Sequence, residues 1–255
     1  MRIFHMHIRE GAGGPNFGDE LSMWLWPKLL NPGMSHILPD GLFYGIGTHL
    51  GRTLPTSGST NVIFGSGAGY RGDPAPDETW RTYFVRGPHT ARKMPKGTKY
   101  ITDPAVLIRK FAKKQDPVYP VAFMPRYDTE FDRAALIDAG IHLIPPNASV
   151  DHVIQAIAHT DMLLTETLHG AITADTMRVP WICVYGSHGH HFKWHDWCGS
   201  LNMVWTPVSM SQYTLDWARK FAVPQLSAES EVRRAVDRMM EEVDVFNENV
   251  ERETV

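Results

Sequence analysis

Cysteine is scarce in this chain: two residues, Cys183 and Cys198, among 255. That gives no basis for a disulfide-stapled scaffold, and without a CxxC pair there is no sign of structural zinc. No apolar run approaches the roughly eighteen residues that a membrane-spanning helix requires. The opening "MRIFHMHIREGAGG" has too short an apolar stretch for a secretory signal, so a cytoplasmic location is the default expectation. Neither sign of charge dominates: the formal net charge of -3 gives no electrostatic footprint for nucleic acid. Internal repeats and low-complexity tracts are also missing. What remains is an ordinary globular composition, 43% hydrophobic and 21% charged, long enough for one large domain or two small ones. Eight tryptophans and thirteen histidines are many for this length, and both suit carbohydrate or anion sites.

Short apolar β-type runs alternate with helical patterns, which predicts α/β architecture with mostly parallel sheets. In the first half, strands are expected at "RIFHMHI", "LFYGIG", "NVIFGSG" and "TYFVRG". A helix capped by Asp19 should run through "DELSMWLWPKLL" until Asn31 and Pro32 stop it. The stretch "QDPVYP", residues 115–120, reads as a linker. Beyond it the pattern restarts with strands at "VAFMP", "IHLIPP", "MLLTE" and "WICVYG". Between them helices are expected near 129–139, at "SVDHVIQAIAHT" and at "HGAITADTMR". Two domains follow, 1–115 and 116–255, with a cleft between them and ligand loops at the carboxyl ends of the strands. After Ser227, the residues Val232, Ala235, Val236, Met239, Met240, Val243 and Phe246 share one face of a last helix. That face is most simply a packing surface.

Several of those loops could carry chemistry. "GAGGPNFGDELS" puts Gly11, Gly13, Gly14 and Gly18 between a strand and a helix, where backbone N–H groups can approach a ligand. A flexible connection with a capping aspartate fits it equally well. "FGSGAGYRG" repeats the arrangement with Gly65 and Gly67. "YFVRGPHTARKM" places Arg86 at a strand's carboxyl end, where it can fork onto a carboxylate or phosphate, or simply pair with a neighbouring acid. In "YITDPAVLI", Asp103 and Pro104 could form a turn. "DMLLTETLHG" sets His169 in the first turn of a helix, where the positive end of the dipole favours a neutral ring able to exchange protons near pH 7. A packed core histidine is the plainer alternative. "GSHGHHFKWHDWCG" gathers His188, His190, His191 and His195 with Lys193, Trp194 and Trp197 in what reads as a loop. Its spacing matches no tetrahedral metal pattern, so a cationic, aromatic lip over an anion or sugar is the better reading.

Taken in order, "NFGDELS", "GIGTHL", "FGSGAG", "VRGPHTARKM", "TDPAVLI", "ETLHGAITADTMRVPWICVYG" and "FKWHDWCGSLNM" resemble the polysaccharide pyruvyl transferase family over about positions 16 to 203. The resemblance implies a GT-B-like fold of two Rossmann-like domains. It implies transfer of pyruvate from phosphoenolpyruvate to a sugar as a ketal, with the acceptor an exopolysaccharide repeat unit on a lipid carrier. Carried over by motif, His169 is the "LHG" histidine, Arg86 the "VRG" arginine and Lys193 the "FK" lysine. Two positions depart from the family pattern: Thr167 stands where many members have arginine, and Arg126 where relatives often have histidine.

Such chemistry asks for cations to hold a carboxylate and a phosphate, and for an acid that is also a base. Arg86, Arg126 and Lys193 are the expected cations, and His169 the proton carrier. Glu166 is a candidate to orient the imidazole or deprotonate a hydroxyl, and Thr167 precedes the histidine helix. Gly65 and Gly67 are expected substrate-binding positions in the acceptor-side first domain. Asn16, Asp19, Trp194 and Trp197 could bind the acceptor sugar, though core packing explains the tryptophans as well. No metal or organic cofactor is needed; phosphoenolpyruvate is a substrate. Peripheral contact with the inner membrane face is compatible with a lipid-linked acceptor. Two other functions fit the same pattern: a GT-B glycosyltransferase using a nucleotide sugar, and a non-catalytic carbohydrate-binding subunit of polysaccharide assembly.

Overall fold

The computed structural model describes residues 2–3, 16–34, 41–51, 60–69, 72–185, 190–210 and 214–254. The expected glycines 11, 13 and 14, His188 and most of the first expected strand lie outside that set. Two sheets carry the fold. The first holds β1 (Arg2–Ile3), β2 (Leu42–Tyr44), β3 (Asn61–Phe64) and β4 (Trp80–Phe84), paired in that order. The second holds β5 (Tyr119–Met124), β6 (His142–Leu143), β7 (Thr160–Thr165), β8 (Trp181–Tyr185) and β9 (Val208–Ser209), in the order β6-β5-β7-β8-β9. Every strand pair in both sheets is parallel. Parallel sheets need cover on both faces, which is why "LFY" and "NVIF" are buried residue after residue rather than alternately.

The helices supply that cover: α1 (Phe17–Leu25), α2 (Pro88–Ala91), α3 (Arg133–Asp138), α4 (Val150–Ala158), α5 (Leu168–Thr176), α6 (His191–Ser200), α7 (Leu215–Phe221) and α8 (Glu229–Thr254). A 3-10 segment, Pro104–Lys110, and α1 pack against α5, and α1 also meets α4. The largest apolar cluster therefore runs through both sheets, from Leu21 and Phe64 to Ala171 and Trp181. The last helix follows the second sheet in sequence but returns to the first. Its buried stripe includes Val232, Met239, Val243 and Phe246, and the Phe246 ring meets Phe43, Phe64 and Tyr83 edge-on at 5.5–5.8 Å.

Three local expectations are corrected. The first helix begins two residues earlier than Asp19, at Phe17, with Asn16 as its cap. Asn16 Oδ1 accepts from Gly18 N, while Asn16 Nδ2 donates to Asp19 Oδ2 at 3.2 Å, so Asp19 braces the cap from the first turn. The stretch 115–120 is not all linker, since Tyr119 and Pro120 already belong to β5. The His- and Trp-rich stretch is helical from 191 to 200; helical spacing turns Trp194 and Trp197 inward and leaves His191 and His195 exposed.

Candidate active site

Both sheets point the carboxyl ends of their strands at one cavity of about 360 Å³. Its walls include Asn16, Phe17, Gly18 and Asp19 at the start of α1, and Gly47, Thr48 and His49 beyond β2. Arg126 and Tyr127 follow β5, Glu166 to His169 follow β7, and His190 and Lys193 come from the start of α6. Seven of the eleven residues singled out from sequence line this space: Asn16, Asp19, Arg126, Glu166, Thr167, His169 and Lys193.

The turn from β7 into α5 answers why "TETLHG" has its composition. Thr165 Oγ1 accepts from Thr167 N, and Thr167 caps the helix by accepting from Gly170 N at 3.2 Å. Gly170 must lack a side chain, because a Cβ there would lie 2.5 Å from Thr167 Oγ1 and 2.8 Å from Met124 Sδ. Gly170 N and Ala171 N are thus bonded to Thr167, and Leu168 and His169, the first residues of α5, line the cavity. That is a suitable place for an anion.

His169 is seated from both sides. A Cβ on Gly18 would fall 2.2 Å from His169 Nδ1, so the missing side chain of Gly18 makes room for the ring. On the other side Nε2 lies 3.6 Å from Asp103 Oδ2. Asp103 is fully buried and caps the Pro104–Lys110 segment by accepting from Ala105 N at 3.0 Å. Burial by itself would raise its carboxyl, but the imidazole of His169, the Arg86 guanidinium and the Ala105 amide together hold it below the usual carboxylate range. The acid that faces the imidazole is thus Asp103, whereas the sequence offered Glu166. Glu166 instead accepts from the backbone amide of Arg126 at 3.0 Å and forms part of the cavity wall.

Arg86, Gly65, Gly67 and Trp194 are not on the cavity wall. Arg86 has no exposed surface; its Nε donates to the equally buried Asp196 at 3.1 Å. Its Nη1 donates to Thr48 Oγ1 at 2.9 Å, so the arginine supports a wall residue from behind. Gly67 packs face-on against that guanidinium, where a Cβ would be 2.2 Å from Cζ. Gly65 adopts φ +97 and has Pro104 where a Cβ would go. At both glycines close packing leaves no room for a side chain. Trp194 is 3% exposed and stacks on Trp205 at 5.8 Å within a tryptophan cluster that includes Trp181 and Trp197. It is core, and its face is closed to a sugar.

Arg126 lines the cavity, yet its guanidinium forks onto Asp128 at 2.9 and 2.7 Å, which raises its pKa. Lys193 has no ion-pair or hydrogen-bond partner among the described residues and is the cation best placed for an incoming anion. The histidines of the same stretch separate: His190 faces the cavity, whereas His191 and His195 lie edge-on to Trp205. Both cysteines are buried thiols, and burial pushes Cys183 up to about 12, so it offers no thiolate. Asp103, read from sequence only as part of a turn, lies behind His169 and off the cavity wall. Its signal was present in "TDPA", an aspartate ahead of proline, but that pattern is also an ordinary turn.

A mixed α/β chain with two parallel sheets and a histidine, a lysine and carboxylates around a shared cavity has the features of a group-transfer enzyme. Comparison with known families makes the class definite. Residues 57–188 match the model of polysaccharide pyruvyl transferase, and the chain belongs to that family and is a transferase. It is also 33% identical over 240 residues to the succinoglycan biosynthesis protein ExoV of Rhizobium meliloti (strain 1021). That alignment covers 87% of this chain and 76% of the relative. No helix among the described residues is long and apolar enough to cross a membrane.

Proposed function

We propose that this transferase takes the pyruvyl group of phosphoenolpyruvate and bridges two hydroxyls of a sugar with it, as a ketal, using His169 as acid and base. The acceptor is a sugar of an exopolysaccharide repeat unit on a lipid carrier, reached from the cytoplasmic side with peripheral membrane contact. The two sheets then correspond to the halves of a GT-B-like arrangement divided near residue 115. The observation that carries this reading is the setting of His169: a partly exposed imidazole at a helix start, sharing with Lys193 a cavity lined by both halves of the chain. The cavity volume is within the usual range for small ligands.

Chemically, phosphoenolpyruvate brings a carboxylate and a phosphate. Lys193 and the first amides of α5 support one anionic group, and the exposed edge of the ring is positioned for the enol. A proton delivered to the methylene carbon leaves an oxocarbenium-like centre at the neighbouring carbon, which one hydroxyl attacks. Phosphate departs with its bonding pair, and a second hydroxyl closes the ketal. Asn16 and Asp19, on either side of Gly18 at the start of α1, also line the cavity, where a sugar can hydrogen-bond.

The test compares ligands and one variant. Phosphoenolpyruvate should raise the melting temperature, whereas uridine and guanosine diphosphates should not. His169→Ala should keep the fold and lower transfer about a hundredfold or more. Full activity in that variant removes His169 from the mechanism, and stabilisation by the nucleotides alone points to glycosyl transfer instead.

A further inference from the structure

We propose that Asp103 is the positioning residue of His169, fixing the proton of the neutral ring on Nε2 so that Nδ1 alone exchanges protons with the reacting groups. The inference rests on the acid–base reading of His169 and adds the group that sets its tautomer. Three observations carry it. Asp103 Oδ2 and His169 Nε2 are both shut off from solvent, neither has a hydrogen-bond partner, and they face each other at 3.6 Å. The other carboxylate oxygen is committed to Ala105 N, which prevents the group from rotating away. On the far side of the ring, Nδ1 faces the backbone of Gly18, whose missing side chain leaves the ring its place at a wall of the cavity.

A buried carboxylate without a donor is costly, and Nε2–H is the donor in reach. Separations slightly beyond hydrogen-bond length are common before substrate closes a site. The assignment balances through the whole reaction. Imidazolium gives its Nδ1 proton to the methylene carbon and becomes the Nε2–H tautomer. Nδ1 then accepts the proton of the first hydroxyl, gives it to the departing phosphate, and accepts that of the second hydroxyl. Imidazolium is restored, one hydroxyl proton is on carbon and the other on phosphate, and Asp103 remains a carboxylate throughout. Lacking the aspartate, the ring can place its only proton on Nδ1, where it cannot act as a base toward substrate.

The experiment uses the full chain with phosphoenolpyruvate and lipid-linked oligosaccharides isolated from cells deleted for this gene. Asp103→Asn should lower kcat about a hundredfold or more while KM for phosphoenolpyruvate changes less than about threefold. In ¹⁵N-histidine spectra of the wild-type protein, the ring signals missing from His169→Ala should show neutral His169 protonated at Nε2. Near-normal kcat in Asp103→Asn beside an inactive His169→Ala overturns the inference and leaves the acid–base role standing. An active His169→Ala removes the reading beneath it. If the asparagine variant does not fold, the wild-type spectrum decides by itself, and protonation at Nδ1 overturns the proposal.

Discussion

Replacing Gly18 by alanine adds one methyl group and separates the position of the imidazole from the stability of the fold. Gly18 sits in the first turn of α1 without a left-handed φ, so its backbone accepts alanine. Intrinsic helix preference favours the change by roughly 0.5–1 kcal/mol. The new Cβ would nevertheless lie 2.2 Å from His169 Nδ1, 3.0 Å from Cγ and 3.1 Å from Cε1. Ordinary contact begins near 3.4 Å, so the ring must retreat by about 1.2 Å, and Asp103 and Leu168 leave it little space on the opposite side. A displacement of that size costs on the order of a hundredfold in rate where alignment matters. Gly18→Ala should therefore melt within a few degrees of wild type yet release phosphate from phosphoenolpyruvate and acceptor about a hundredfold more slowly. Steady-state phosphate release together with a thermal melt checks both halves. Unchanged turnover would refute the idea that this ring, held in this place, performs the chemistry.

Other expected outcomes concern the supports of the site. Arg86→Met strands Asp196 in the core and should cost about 3–5 kcal/mol in chemical denaturation, whereas Arg86→Met with Asp196→Asn should recover much of that loss. Equal destabilisation of the single and double variants would contradict a buried ion pair as the cause. At the start of α8, Arg109 foremost holds Glu229 below its ordinary value of 4.5 against burial, which raises it, and Arg233 and Arg178 add smaller lowering effects. A carboxyl lowered in the folded state adds stability above its unfolded pKa and loses it as pH falls through the folded one. Glu229→Gln should thus be less stable than wild type at neutral pH, with the gap closing below about pH 4.5, as urea titrations at several pH values can measure. A gap independent of pH would count against the electrostatic explanation.

The strand segments and the cavity's place beyond their carboxyl ends were legible from sequence because continuous apolar runs and small polar loops have distinct patterns. "NVIF" is buried throughout and "WICVY" as far as Val184, and the polar steps after β5 and β7 are on the cavity wall. His169, Lys193 and Glu166, singled out for their places after strands, are all on the cavity wall. Arg86 misled because a strand-end arginine looks the same whether it faces a ligand or, as here, an aspartate 110 residues away. Trp194 misled because helical spacing, hidden among histidines and glycines, turns it into the core. Asp103 was read as part of a turn because it approaches His169 only after two segments far apart in sequence are brought together. Long-range pairs of this kind leave no local pattern.

The most direct test is a mass measurement. Wild-type protein, phosphoenolpyruvate and lipid-linked repeat-unit oligosaccharide are incubated, and the released glycan and free phosphate are quantified. The expected product is heavier than the acceptor by pyruvate less water, loses that mass in mild acid, and forms in equal amount to phosphate, with almost none from His169→Ala. Phosphate without a ketal, a glycan enlarged only when a nucleotide sugar is supplied, or an unimpaired His169→Ala would each contradict the account.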